Sequence, residues 1–278
     1  MSLTGPSTPT EHSPAERPSA GPGAGSDPGS NLDDASAARL PAARLRIGLL
    51  LCDHLDLDVA AQVGDYPDLF SARFAPLGVD LVVHDLTVGE FPTDLDALDG
   101  WIVSGSRRST YEDEDWIHDL EDLVRRLVEQ RRKLIGICFG HQMVAQALGG
   151  VVERAEVGWG VGVKSFDLTA SAPWIDRDHT PSGRFSLLTS HRDQVTRLPE
   201  GAEVLATAGY CPVGAYRIDD HVFCVQGHPE WVPELSRILM GSRRIGIGGP
   251  VADTALVTLD APIDAPLVVE WMADFFRY

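Results

Sequence analysis

The stretch KLIGICFGHQMVAQALGG, residues 133–150, sets a lone cysteine between two glycines. An apolar run, LIGI, precedes Cys138 and an apolar-periodic segment follows it, so the thiol stands where a strand turns into a helix. G-x-nucleophile-x-G is the pattern of a turn so sharp that the residues flanking the nucleophile must lack bulk. Gly136 and Gly140 fill those places. A helix that begins beside the sulfur aims its first amides at it and favours the thiolate, the nucleophilic form. The competing reading is a buried, inert thiol in a tight turn that needs small residues.

A cysteine nucleophile needs a base, and the base needs a group to orient it. The chain has nine histidines. His12 lies in a low-complexity leader, and His54, His84, His118 and His221 have no supporting feature. His228 closes the apolar segment HVFCVQG and is followed by Pro229 and Glu230. Residues two apart in extended chain point to the same side, so Glu230 can steer the His228 ring, and the intervening proline stiffens the pair. Cys138, His228 and Glu230 thus form a candidate nucleophile, base and orienter, in that chain order.

The elements that must position these groups can be read around them. LRIGLLLC, VDLVVHDL, GWIVSG and LIGIC read as buried strands, and YPDLFSARFAPLG as a helix ended by Gly78. The segment DEDWIHDLEDLVRRLVEQRRK gathers Trp116, Ile117, Leu120, Leu123, Val124 and Leu127 on one helical face, with acids first and bases last. Alternating strands and helices imply an α/β fold with a mainly parallel central sheet flanked by helices. In the second half VGVKSFDLTA, FSLLTS, EVLATA, VGAYRID and HVFCVQG read as short strands, an antiparallel extension of that sheet, before helices near 231–243 and 265–277. Residues 1–43, rich in Pro, Gly, Ser and Ala, are expected to be a disordered leader without a signal-peptide h-region, and 44–278 the single domain.

The pair GICFGHQ and QGHPE, separated by about ninety residues, resembles the class I (triad) glutamine amidotransferase family. GDYPDLF, VSGSRRSTYEDEDWI, EVGWGVGV, SHRDQV and LPEGAEVLATAGYCPVGAY resemble its free-standing branch, and the likeness runs from about Leu45 to the C-terminus. The resemblance implies a flavodoxin-like amidotransferase fold and no cofactor. It implies that Cys138 attacks the γ-carbonyl of glutamine or a γ-glutamyl compound, with His228 as base and acid and Glu230 holding the ring. The oxyanion would lie between the amide of Phe139 and that of Gly105 or Ser106, where S-G-S replaces the S-G-G-P of synthetase-attached members. Gln142, Ser190 and His191 match the positions that contact the glutamyl end. Three functions follow: a glutaminase passing ammonia to a separate synthase subunit, a γ-glutamyl peptide hydrolase, or a non-catalytic binding protein. No ATP-pyrophosphatase signature or Walker A motif is visible, which favours the hydrolase slightly, whereas the intact Cys138, His228 and Glu230 oppose the binder.

A net charge of −18 argues against nucleic acid and against an anionic membrane surface as partners. No apolar run approaches the roughly 20 residues of a bilayer span. Four sparse cysteines without CxxC spacing fit a reducing cytoplasm, with Cys211 and Cys224 read as core. Arg107 and Arg108 could meet a substrate carboxylate, but exposed loop arginines are the plainer reading. EDED at 112–115 is read as helix N-terminal charge rather than a metal cluster. His191 and Asp193 are a candidate hydrogen-bonded pair, and Cys52 and Asp53 approach the active edge. GIGGP at 246–250 is glycine-rich like a phosphate loop, but it does not join strand to helix and is read as a flexible break.

Overall fold

A computed structural model describes residues 44–175, 180 and 182–278; the leader expected over 1–43 lies outside them. The apolar run Leu45–Leu51 forms β1, buried from Ile47 onward. After it come two short helices, α1 (Leu57–Val63) and α2 (Tyr66–Phe74). Asp65 starts α2 by a capping box with Asp68, satisfying amides that a first turn leaves unbonded. A 3-10 turn closes on Gly78, which takes φ 75°, and releases the chain into β2 (Val79–Asp85). β3 (Gly100–Val103), α3 (Asp115–Glu129), β4 (Leu134–Ile137) and α4 (Phe139–Ala147) follow. On α3 the residues at helical spacing, Ile117, Leu120, Leu123, Val124 and Leu127, are the buried ones.

The second half is mostly antiparallel. It comprises β5 (Val151–Arg154), β6 (Gly160–Leu168), β7 (Arg184–His191), β8 (Asp193–Arg197), β9 (Ala202–Ala208), β10 (Cys211–Ile218) and β11 (Val222–Val225). Helices α5 (Pro233–Ser242), α6 (Arg244–Ile247), α7 (Gly249–Val257) and α8 (Ala265–Arg277) complete the chain. Nine strands make one sheet in the order β2-β1-β3-β4-β11-β10-β9-β6-β7. From β2 to β11 all pairs are parallel, and from β11 to β7 all are antiparallel. The mainly parallel sheet with an antiparallel extension is therefore the observed architecture. Successive strand residues point to opposite faces, so two apolar clusters form. One joins Ile47 and Leu49 to Phe70, Leu235, Trp271 and Phe275; the other joins Leu50 and Trp101 to Leu120, Leu123, Met143 and Val144.

Helix α1 is absent from the sequence reading, and two features of the second half differ from it. The GIGGP segment is not a flexible break: it ends α6 and opens α7, with Gly248 at φ 94° before the helix and Pro250 in its first turn. Proline is pre-shaped for that position, and the helix it starts buries Ala252 and Ala255. β5 and β8, unread as strands, pair with each other as a separate two-stranded ribbon. Among the described residues no helix is long and apolar enough to cross a membrane.

His141 on α4 is fully buried, with its ring edge against Tyr216 at 4.9 Å and its carbonyl accepting the Tyr216 hydroxyl at 2.8 Å. Burial, with a smaller contribution from His191, pushes its pKa down to about 3. An unfolded histidine titrates near 6.5, so below that pH the unfolded chain binds a proton that the folded chain refuses. Stability from this group is thus complete above about pH 6.5 and declines as the pH falls toward 3. Thermal unfolding should show a lower Tm at pH 5 than at pH 7, and His141→Gln should flatten that dependence.

Candidate active site

Cys138 is the residue on which β4 turns into α4, and its backbone sits at φ 53°, ψ −102°. A left-handed φ on a residue with a side chain stores about 1–3 kcal/mol and persists only when neighbours enforce it. Three hydrogen bonds do so here. The Cys138 amide donates to Val225 O at 3.0 Å, the Gly140 amide to Ser104 O at 3.2 Å, and the Gln142 amide to Cys138 O at 3.1 Å. The flanking glycines have steric causes. A Cβ on Gly140 would lie 2.3 Å from the Val103 carbonyl oxygen, and one on Gly136 would lie 2.5 Å from the Gly140 oxygen.

His228 arrives from β11, the strand beside β4 in the sheet. Its amide donates to Leu188 O at 2.8 Å, which fixes the chain just beyond the strand. The ring is held on two further sides. Nδ1 meets Glu230 Oε1 at 2.7 Å, and the ring stacks on Trp231 with centroids 3.8 Å apart and planes at 16°. His228 and Glu230 are 3% and 1% exposed, so the pair works in a dry, low-dielectric setting. Burial opposes a charged ring, but the Cys138 sulfur beside it and the Glu230 carboxylate hydrogen-bonded to it outweigh burial and raise its pKa. The geometry therefore brings Cys138, His228 and Glu230 together as a connected set.

The segment after β3 passes directly over this set. A Cβ on Gly105 would be 2.9 Å from His228 Cε1 and 3.7 Å from Cys138 Cβ, so only glycine admits that approach. Phe139 begins α4, and its amide is among those that a helix start leaves without an intrahelical acceptor. Ser106, Cys138, Phe139 and Gln142 line one cavity, and Ser190, His191 and Asp193 close its far side. There Gln142 Nε2 donates to Asp193 O at 2.8 Å and to Gln226 Oε1 at 3.0 Å. His191 Nδ1 lies 3.1 Å from the Asp193 carbonyl, so that pair joins ring to main chain, not to carboxylate. Burial pushes the His191 pKa down to about 4 and keeps the ring neutral. Ser190 Oγ, His191 Nε2 and Asp193 Oδ1 are buried without a partner among the described residues. Buried polar atoms left unpaired beside a cavity call for an explanation, and a bound polar ligand is one.

Arg107 and Arg108 do not reach into this cavity as free cations. Arg107 is bound to Asp53 and Asp56, and Arg108 to Glu112 and Glu114. Three of the four EDED carboxylates are thereby in ion pairs, Asp113 with His118 included, and Asp115 lies in the first turn of α3. Among the described residues no group of three or more His, Cys, Asp or Glu could hold a metal ion. Cys52, Cys211 and Cys224 are buried, and burial pushes each thiol up to about 12, which leaves them unreactive. The stacking of Trp231 and the unpaired Asp193 oxygen escaped the sequence reading. The aromatic directly after H-P-E was the available signal for the first.

Comparison with known proteins bears on what this arrangement does. The family described as glutamine amidotransferase class-I matches residues 67–240. Gamma-glutamyl peptidase 3 of Arabidopsis thaliana is 33% identical over 197 residues, spanning 69% of this chain and 78% of the relative. The glutamine-hydrolyzing GMP synthase of Ectopseudomonas mendocina (strain ymp) is 31% identical over 182 residues, spanning 63% of this chain and 33% of that protein. A glutamine amidotransferase structure from Thermotoga maritima superposes with a TM-score of 0.65 over 84% of this chain and 96% of that one, at 16% identity, a likeness of fold.

Gly140→Ala should be more damaging than an average glycine-to-alanine change, because the new methyl meets main chain that cannot rotate away. A loss of about 1–3 kcal/mol, the usual range for overpacking, is expected. Urea unfolding should report it as a lower midpoint at unchanged m-value.

Proposed function

Because the chain belongs to the class-I glutamine amidotransferase family, we propose that it cleaves a γ-glutamyl amide bond through a thioester on Cys138. The observation that carries this reading is the contact of Cys138 with a buried His228 whose Nδ1 is held 2.7 Å from Glu230. The Cys138 sulfur attacks the γ-carbonyl carbon while the thiol proton resides on His228. Amides of Phe139 and of Gly105 or Ser106 receive the oxyanion, a contribution worth about 10²–10³ in rate per donor. As the C–N bond breaks, His228 Nε2 passes its proton to the departing amine. Water then attacks the thioester, again giving a proton to His228, and glutamate leaves as the Cys138 thiol is restored. Glu230 keeps Nε2 aimed at the sulfur by holding Nδ1–H, and it stabilises the imidazolium formed in each half-reaction.

The unpaired polar atoms of the cavity suit the glutamyl end. Asp193 Oδ1 offers an acceptor for the α-ammonium and Ser190 Oγ a donor for the α-carboxylate, with Gln142 and His191 shaping the wall between them. Glutamine is the smallest substrate of this kind; its ammonia would pass to a separate synthase subunit. A second reading, release of an amino-acid or peptide amine, is supported by the likeness to a γ-glutamyl peptidase over 78% of that relative's length. Four free thiols fit a reducing compartment, and we place the protein in the cytoplasm on that ground.

Glutamate release from glutamine and from γ-glutamyl dipeptides, each beside Cys138→Ala, tests the reading. Cys138→Ala should abolish turnover, and His228→Asn should lower kcat by about 10²–10⁴. Turnover near wild type in Cys138→Ala would falsify the thioester route. A kcat/KM favouring dipeptides over glutamine selects the second reading, and the reverse selects the first.

A further inference from the structure

Backbone amides stabilise an oxyanion only when their directions are set before the charge develops. A short loop after a strand has no such rigidity of its own. The loop that carries Gly105 and Ser106 is fixed at both ends by consecutive residues from the end of the neighbouring strand. At one end the Cys52 amide donates to Ser104 Oγ at 2.9 Å, while the Ser104 amide donates to Leu50 O at 3.1 Å. At the other, Asp53 Oδ2 accepts the Arg107 amide at 2.8 Å, and its two oxygens take Arg107 Nε at 3.0 and 3.1 Å. Arg107 Nη2 returns to the His54 carbonyl at 2.6 Å. Because the peptide unit is planar, holding the Arg107 N–H sets the Ser106–Arg107 plane. Gly105 and Ser106 then hang between two fixed points.

Asp53 is itself held. Its Oδ1 accepts the His54 amide at 2.9 Å, and its side chain is 13% exposed. The His54 ring lies between two carboxylates, Nδ1 at 2.5 Å from Asp65 Oδ2 and Nε2 at 2.8 Å from Asp85 Oδ2. The hydrogen bond to Asp65, with that to Asp85 beside it, raises the ring's pKa against its partial burial and so favours the imidazolium, which can donate from both nitrogens. Asp65 also accepts the Leu55 amide at 2.9 Å and caps α2, and Asp85 accepts the Thr87 amide at 3.0 Å. The segment after β1 is thereby tied to the start of α2 and the end of β2.

We infer that Asp53, braced by His54, is the positioning residue for the oxyanion-donating loop, acting through Arg107 without touching substrate. The inference deepens the proposed function and rests on it for its kinetic consequence. Among the described residues Asp53 has no other hydrogen-bond partner: it is largely buried, and both its oxygens are spent on the loop and on its own neighbour. The proximity of Gly105 to His228 and Cys138 makes the loop's placement consequential, since a shift of a few tenths of an ångström would change those contacts.

The test compares wild type, Asp53→Ala and Asp53→Asn in the full chain by four measurements. These are kcat, KM, the rate of Cys138 alkylation by iodoacetamide, and amide hydrogen exchange over residues 104–108. Asp53→Ala should lower kcat about 10- to 100-fold with KM within about 3-fold, the signature of a lost transition-state interaction. Alkylation, which develops no oxyanion, should stay near wild type, and exchange should quicken at 104–108 alone. Asp53→Asn keeps one acceptor for the Arg107 amide and should fall between. An unchanged kcat overturns the inference, as does alkylation that falls in step with kcat while exchange quickens across the sheet. If wild type itself hydrolyses no γ-glutamyl compound, the hydrolase reading fails, and exchange at 104–108 in Asp53→Ala still decides whether Asp53 holds the loop.

Discussion

The turn at Cys138 is the constraint around which this molecule is arranged. A side-chain-bearing residue at φ 53° does not hold that conformation alone, and each restraint on it comes from a different element. The carbonyl of Val225 on β11 takes its amide, while the carbonyl of Ser104 after β3 takes the amide of Gly140. β3 and β11 are the two strands that flank β4 in the sheet. The same pairing that keeps the elbow strained therefore delivers both the Gly105 loop and His228 to the neighbourhood of the sulfur. Strain and site assembly share one cause, the central position of a four-residue strand.

That arrangement depends on β11 facing two ways. It runs parallel to β4 and antiparallel to β10, so it closes the parallel half of the sheet and opens the other. Its carboxyl end consequently lies beside that of β4, where an open α/β sheet gathers its reactive groups. The chain then continues through His228 to Glu230 and Trp231, which grip the ring by hydrogen bond and by stacking. A charged ring so deeply buried would be untenable without compensation. Cys138 and Glu230 supply it, and the outcome is a histidine whose protonated form is favoured inside the protein. His141 and His191, equally buried but lacking carboxylate partners, are driven the other way.

The strong negative charge is not spread evenly in its effect. Around the site many carboxylates have structural work: Asp53 and Asp56 hold Arg107, Glu112 and Glu114 hold Arg108, and Asp65 with Asp85 holds His54. Arg107, Arg108 and His54 are thereby committed to shaping loops, while Arg192 and Arg243 line the cavity outside these pairs. Asp193 Oδ1 is an exception, buried in the wall without a partner among the described residues. A loop network rich in ion pairs thus lies beside an acid whose one oxygen accepts the Ser109 hydroxyl at 2.5 Å and whose other has no partner among the described residues.

The sequence by itself singled out Cys138, His228 and Glu230 as a candidate nucleophile, base and orienter, because G-I-C-F-G and Q-G-H-P-E are local patterns whose chemistry needs those residue types at those spacings. It also determined the strands and helices whose apolar period is unbroken, Leu45–Leu51 and Asp115–Glu129 among them. It failed at GIGGP, where glycine content suggested a break but tertiary burial of Ala252 and Ala255 made a helix profitable. It also passed over β5 and β8, which are too short and half-polar to register as strands until they pair. Only the tertiary structure decided that Asp53 meets Arg107, fifty-four residues away, and that His54 sits between Asp65 and Asp85. Long-range pairs of that kind depend on strand order, and strand order is set by which apolar faces can be covered together. A linear pattern of residues carries the local preferences of a chain, but the partner of a charge is chosen by the fold.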